Sequence, residues 1–346
     1  MRVLHIAYQQ LRRYGETRVS WAEKLTFGLI KNDHYVKAFS DRDVAAFEAP
    51  LGLRDLGRNK ANKRLLEMVE AMEPDVVIAG HCDIISNDTL KEIRRLRPGV
   101  KIAHCNNDPL FVPSNVERIK SRASVTDAIF VSTGRRELKM FEGIGARVYH
   151  MPNPVDPSIE SLDNSQRTDL PIDLLFCSNS TNFTKRLEMI GRFREALAGE
   201  MNFKTYGSFG EPPVWGRNYD RALGNSKMGL NLNRQEGHYW YSSARMAQLA
   251  GNGILQFTHV GPRFDELMPP ESIAYFTDED DLLARIREFH HDDAKRQAWA
   301  ARARAFFHEH MNTRLYAQYI VEATAGLPFS HDYVWARDIH ADGRMK

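Results

Sequence analysis

Short, nearly unbroken apolar runs alternate with helical patterns along almost the whole chain, and few folds accept that order. In the first part VLHIAY, YVKAFS, DVVIAG, VKIAHC, AIFVS and RVYHMP are separated by VSWAEKLTFGLIKN, NKRLLEMVEAM, DTLKEIRRL, VERIKSRA and RRELKMFEGI. Strand, helix, strand is the unit of a parallel sheet, and strands that are apolar on both faces need cover on both. The stretch NPVDPSIESLDNSQRTDLP breaks the pattern with prolines, serines and acids. Beyond it the alternation resumes with IDLLFCS, KRLEMIGRFREALAG, FKTYG, YDRALGNS, MGLNLN, SARMAQLAG, GILQFT, DDLLARIREFHH and AKRQAWAARARAFFHEHM. The expectation is an α/β protein of two Rossmann-like domains facing across a cleft, over 1–155 and 172–325. A linker covers 156–171, and an aromatic tail, 326–346, is free to pack on either half. A length of 346 residues suits two domains.

Composition excludes more than it assigns. Lys and Arg number 47 against 45 Asp and Glu, so no whole-protein field points to nucleic acid. Three cysteines, Cys82, Cys105 and Cys177, are too few and too far apart for a disulfide framework or a zinc site, and read as reduced core thiols. MRVLHIAY is interrupted by QQLRR before it could serve as a signal-peptide core, and no run reaches the ~18 apolar residues of a membrane span. A cytoplasmic location is expected. Two basic stretches, RNKANKRLLEMV and LKEIRRLRPGVK, are short and mixed with acids. They read as solvated helix faces, with peripheral membrane contact as the most they could support.

Paired α/β domains bind ligands outside the carboxyl ends of their strands. In the second half a strand ends at Asn231 or Asn233, the loop RQEGHYWY follows, and a helix begins with Ser242 or Ser243 as its N-cap and Arg245 in its first turn. Free amides and the positive end of the helix dipole make such a terminus an anion site, which an arginine strengthens. AGNG ends the helix, and ILQFT then carries Thr258 and His259 back to the same level.

Strand, aromatic loop, S-x-R-x-x-x-x-A-x-x-G, strand ending in Thr, then a long arginine-rich helix: over about 172–322 this order resembles the donor domain of GT-B glycosyltransferases. Within these it is most similar to the group typified by the spore maturation protein CgeB, related to the large family-four retaining enzymes. The resemblance implies transfer of a sugar from a nucleoside-diphosphate sugar to a glycan, lipid-linked or small-molecule acceptor, with no other cofactor. Bacterial surface polysaccharide assembly is the implied setting. Aligning R-x-x-E-A-x-A-x-G on Arg245 and Gly253 puts Gln248 where the family has a ribose-binding glutamate; a glutamine still hydrogen-bonds a hydroxyl, without the charge. In CSNSTNFTKRL, Lys185 takes the lysine position of the diphosphate-gripping loop, Ser180 replaces its arginine, and Arg186 is a nearby substitute. Glu236 with Gly237 occupies the level of a sugar-contacting loop, with His238 and Tyr241 as lining or core cover. Tyr206, Arg234, Ser242 and Ser243 complete the expected donor set.

Breaking the bond from the anomeric carbon to the diphosphate places charge on the leaving phosphate, which Arg245 and Lys185 would stabilise in the transition state. Catalysis without a metal is expected, since these cations would remove the need for Mg²⁺. At the strand ends of the first half stand Gln9, Gln10, His81, Asp83, Asn106, Asn107 and Asp108, with Glu16 beside Gly15 in the first loop. Glu16, His81, Asp108 and Glu236 are the catalytic candidates. Inversion would need one of the first three to take the acceptor proton; retention, which the resemblance implies, would leave it to the departing phosphate. Two other readings stay open: a sugar-nucleotide epimerase or hydrolase, and a catalytically silent nucleotide-sugar binding module. A dinucleotide oxidoreductase is disfavoured, since YQQLRRYGETR lacks G-x-G-x-x-G.

Overall fold

The computed structural model describes residues 1–13, 20–178 and 185–336, so Gly15, Glu16 and Ser180 lie outside the described residues. The chain divides into two compact units. The first takes the described residues up to Pro152 and resumes at Thr313, and the second runs Asn153–Asn312.

In the first unit the order is β1 (Arg2–Ile6), α1 (Trp21–Lys31), β2 (Tyr35–Phe39), α2 (Asp41–Phe47), α3 (Arg58–Met72), β3 (Val76–Ala79), α4 (Asn87–Leu96), β4 (Lys101–Asn106), α5 (Pro113–Ala123), β5 (Ala128–Val131) and β6 (Arg147–His150). All pairings are parallel, in the order β2-β1-β3-β4-β5-β6, with Val3 opposite both Val36 and Val76. The apolar runs are buried because both sheet faces are covered: Leu4, Ile6, Val77 and Ile102 have no exposed surface. RRELKMFEGI, read as a helix, forms a 3-10 turn over Arg135–Phe141.

The second unit contains β7 (Ile172–Cys177), α6 (Lys185–Ala196), β8 (Phe203–Tyr206), α7 (Gly216–Gly224), β9 (Ser226–Asn231), α8 (Arg245–Gly251), β10 (Leu255–His259), β11 (Ala274–Phe276), α9 (Glu279–His291) and α10 (Asp293–His310). Its sheet is also wholly parallel, β11-β10-β9-β7-β8. Each sheet starts its first strand in the interior and then reverses direction. The switch points are β1/β3 and β7/β9, where open parallel sheets leave a crevice at the carboxyl ends.

Two stretches differ from the sequence reading. The segment expected as a linker is packed into the second unit: Asp156, Glu160, Asn164 and Ser165 are buried, and Asn164 Nδ2 donates to the carbonyls of Leu223 and Ser226, both at 2.8 Å. Its polar side chains are paired with main-chain and side-chain groups, so lack of periodicity did not mean exposure. The chain then returns to the first unit with α11 (Thr313–Ala325), which lies against α1 so closely that a Cβ on Gly28 would sit 2.0 Å from the Thr313 carbonyl oxygen. Trp21 Nε1 donates to the Tyr316 hydroxyl at 2.7 Å, and the tail residues Tyr333 and Trp335 pack on Tyr319 in the same unit.

Candidate active site

In the second unit, the loops after β7 and β9 gather at the switch point. Arg245 donates Nη2 to the Cys177 carbonyl at 3.1 Å and Nη1 to the Leu232 carbonyl at 3.2 Å. Arg186, from the first turn of α6, donates Nη1 to the same Leu232 carbonyl at 3.1 Å. Both guanidiniums stand over the Phe176 ring, 5.6 Å (Arg186) and 5.5 Å (Arg245) from its centre. Desolvation lowers both pKa values, that of Arg186 to about 10 with the Arg245 charge adding to the effect. Glu236 is the carboxylate they feel, yet among the described residues neither arginine forms an ion pair with it. Arginine has five N–H donors, so most remain for a ligand.

Four side-chain atoms around this point are buried without a hydrogen-bond partner among the described residues: Arg186 Nε, Asn231 Oδ1, Asn233 Oδ1 and Ser243 Oγ. A buried polar atom left unpaired is costly, and a mixed set of donors and acceptors suits a ligand that carries both.

The helix-end part of the expectation needs correction. α8 has seven residues and starts at Arg245 itself; Ala244 holds the N-cap position without a side-chain cap, and Ser242 Oγ turns to the Ser243 carbonyl at 2.9 Å. Neither serine caps the helix. The cationic character comes from two side chains rather than from so short a helix. Thr258 and Asn231 are fully buried and bond one another at 3.1 Å.

The loop after β9 is tied down from both sides. Glu236 accepts from Asn233 N at 2.8 Å and from Asn233 Nδ2 at 3.3 Å, and Asn233 Nδ2 also reaches the Tyr241 carbonyl. Gly237 has φ +90 with nothing within 4 Å of a built Cβ, so its need for glycine is conformational. Tyr239 and Trp240 stack at 4.8 Å and bond Glu266 and the Arg263 carbonyl, anchoring the loop. Tyr241 and His238 are half-buried, and Arg234 is exposed but close enough for its charge to act on Arg186.

Other expected donor residues form no hydrogen bond to either arginine among the described residues. Lys185 is exposed at the start of α6. Tyr206 packs with Cys177 and Tyr219 in an apolar cluster. Gln248 Oε1 accepts from the Tyr219 hydroxyl at 2.7 Å and lines a groove of about 240 Å³ in which neither Arg186 nor Arg245 takes part. Sequence reading did not single out Phe176, Tyr219 or Asn233; the polar NLNR after a strand was the only available signal for Asn233.

In the first unit a cavity of about 220 Å³ opens at the β1/β3 switch point, lined by Tyr8, Ser20, Trp21, Arg42, His81 and Asn107 among others. His81 Nδ1 lies 3.4 Å from Asp108 Oδ2, which Arg118 also holds at 3.1 Å. Burial lowers the His81 pKa against the pull of Asp108, favouring neutral imidazole. Arg42 pairs with Asp83 at 2.8 Å and covers the Tyr8 ring. Among the described residues no group of three or more His, Cys, Asp or Glu could hold a metal ion, and no helix is long and apolar enough to cross a membrane.

No curated protein sequence matches this chain. Residues 182–322 match the family model described as glycosyl transferase-like. In three dimensions the chain is similar to sucrose-phosphate synthase from Thermosynechococcus elongatus (TM-score 0.63, 10% identity, covering 93% of this chain and 98% of that one). It is also similar to the Anabaena protein HepE in complex with UDP and glucose (TM-score 0.60, 11% identity, 94% and 100% covered). A UDP-N-acetylglucosamine 2-epimerase gives a TM-score of 0.51 at 11% identity, with 93% and 95% covered. At such identities these likenesses establish the GT-B type fold. The chain thus carries a glycosyl transferase-like domain over 182–322 within two parallel α/β sheets of that type.

Proposed function

We propose that this protein moves a sugar from a nucleoside-diphosphate sugar to a hydroxyl acceptor, with the diphosphate held by Arg186 and Arg245. The observation that carries the reading is their convergence, without an ion-paired carboxylate among the described residues, at the carboxyl-end switch point of the second sheet. Two desolvated cations lacking a counter-ion are costly, and a diphosphate supplies what they lack. The HepE complexes with UDP and with UDP-glucose favour a uridine donor. Surface polysaccharide assembly, a glycan or lipid-linked acceptor and a cytoplasmic location belong to the same proposal and rest on the resemblance.

In this mechanism the acceptor oxygen attacks the anomeric carbon while the bond to the diphosphate breaks and its electron pair goes to the phosphate oxygen. Arg186 and Arg245 stabilise that growing charge without a metal ion. Glu236, fixed by Asn233, accepts from a sugar hydroxyl. For an acceptor proton the first unit offers His81 as the candidate base, with Asp108 on its Nδ1. A base-assisted course inverts the anomeric carbon, whereas the retaining course dispenses with His81; proton coupling constants of the product tell them apart.

A thermal-shift screen against UDP, GDP, ADP, CMP and TDP and their sugars tests the donor site, since a ligand of the native state raises Tm. A shift with one diphosphate, clearly reduced in Arg186→Met, is expected. No shift with any of them sinks the donor assignment. The epimerase likeness keeps one second reading, and release of an altered sugar nucleotide without any acceptor would favour it.

A further inference from the structure

The first unit carries an apolar tip that its own fold does not use. Between α2 and α3 the chain makes two short 3-10 turns, Pro50–Gly52 and Arg54–Gly57. Leu51 is 95% exposed, and Phe47, Leu53 and Leu56 are each more than half exposed. This is not loose chain: Gly57 packs so tightly on α2 that a Cβ there would sit 1.8 Å from the Ala45 carbonyl oxygen, while Ala45 and Ala61 are fully buried. Leu51 has φ +57, a left-handed conformation that an L-residue adopts at an energetic cost, and it spends that cost on pointing an apolar side chain into water. Neither burial nor backbone comfort explains the arrangement.

Among the described residues cations outnumber acids around the tip. Arg12, whose guanidinium reaches the Gly52 carbonyl, stands beside it with Arg54, and the exposed Lys60 and Lys63 follow on α3. Among the described residues the nearby acids are Asp55, within 4.0 Å of Arg54 and 3.8 Å from Arg58, and Glu48, which pairs with Arg64 at 2.8 Å. Projecting leucines and a phenylalanine with cations beside them match the two layers of an anionic bilayer, acyl chain below and phosphate above. Water-filled solution or a neutral protein face would satisfy one of these features and not the other.

We propose that this tip, Phe47, Leu51, Leu53 and Leu56 with the cations beside it, seats the protein on an anionic lipid surface. α2 links the tip to the cavity: Phe47 ends the helix and Arg42, in its first turn, lines the cavity with His81, about 8 Å apart along the axis. A lipid-linked acceptor would then keep its tail in the bilayer while its head group reaches the cavity. That last step rests on the transferase reading, whereas the surface itself does not.

The test is co-sedimentation of the full chain with vesicles of equal phosphatidylglycerol and phosphatidylcholine, and with phosphatidylcholine alone. Binding to the first, falling at least ten-fold on the second and with 0.5 M salt, is expected. Leu51→Asp with Leu53→Asp should lower it at least ten-fold, and Lys60→Glu with Lys63→Glu should do the same while leaving the apolar tip intact. Both sites are exposed, so an unchanged Tm verifies folding. Wild type that ignores anionic vesicles, or a leucine variant that binds them as well as wild type, overturns the proposal. A dimer in light scattering that the leucine variant dissolves, with no vesicle binding, gives the tip to a second copy and overturns it too. Calorimetry with UDP-sugar in vesicle-free buffer reports the donor site separately, so the two readings fail independently.

Discussion

Arg186 and Arg245 donate to one acceptor, the carbonyl oxygen of Leu232, at 3.1 and 3.2 Å. Their nitrogens therefore lie within roughly 6 Å of each other, and two unit charges at that distance repel by about 3 kcal/mol at an effective dielectric of about 20. Folding alone gives no reason to bring them together, because one arginine would satisfy the carbonyl.

Arg186→Met is the cleanest consequence. Leu232 keeps its bond from Arg245, so Tm should stay unchanged or rise by a few degrees as repulsion and desolvation are relieved. Affinity for the nucleoside diphosphate should fall roughly 10- to 100-fold, the range of one charge-assisted hydrogen bond. Calorimetry and thermal melts read the two effects; a lower Tm with unchanged affinity would make Arg186 a structural residue.

Arg245→Lys should behave differently. A lysine keeps the charge but has one nitrogen where Arg245 uses two, Nη1 and Nη2, so a carbonyl is expected to lose its side-chain partner at a cost of about 1–3 kcal/mol. Here stability and affinity should fall together, measured by denaturant unfolding and calorimetry.

For His81→Gln, kcat should drop about 10²- to 10⁴-fold with donor KM little changed, if the imidazole is the base. Burial holds the His81 pKa below its ordinary 6.5, so the acid limb of kcat/KM should lie below that value. Asp108→Asn removes a charge that raises this pKa and should move the limb lower still. A limb that does not move separates Asp108 from the proton transfer.

On the proposed mechanism, with guanidiniums in the place of a divalent ion on the diphosphate, turnover should survive EDTA. Loss of activity that Mg²⁺ or Mn²⁺ restores would contradict this.

Stability should fall in acid for a reason unrelated to the site. Burial depresses His5 and His104 to about 3 and His150 to about 4. Below the unfolded value of 6.5 the unfolded chain binds protons these buried rings refuse, so each costs up to about 1.4 kcal/mol per pH unit as pH falls towards its folded value. Asp41, raised by burial to about 6, opposes this between its folded value and the ordinary 3.8. Urea midpoints from pH 7 to 4 should fall steadily, and less so in His104→Gln.

Much of the architecture was legible because it is local. Apolar runs such as VLHIAY and IDLLFC are buried on both faces of parallel sheets, and period and length suffice to recognise them. The reading passed over β11, whose three residues are too short to show a period, and α2, whose Asp41 and Asp43 are acids buried in the fold. RRELKMF became a 3-10 turn, since its first-turn signals do not distinguish the two helix types.

The residues named for the anion site were read from order alone, and the ones that converge do so through partners far along the chain. Arg245 meets a carbonyl 68 positions away and Arg186 one 46 positions away. Residue order set strand, loop and helix in succession, because hydrophobic period and turn chemistry act over a few neighbours. Only the tertiary structure decided that Ser242 and Ser243 cap nothing, that α11 returns to the first unit, and that two arginines share one oxygen. Those outcomes depend on which strand ends the crossovers bring side by side, and no short stretch of sequence carries that information.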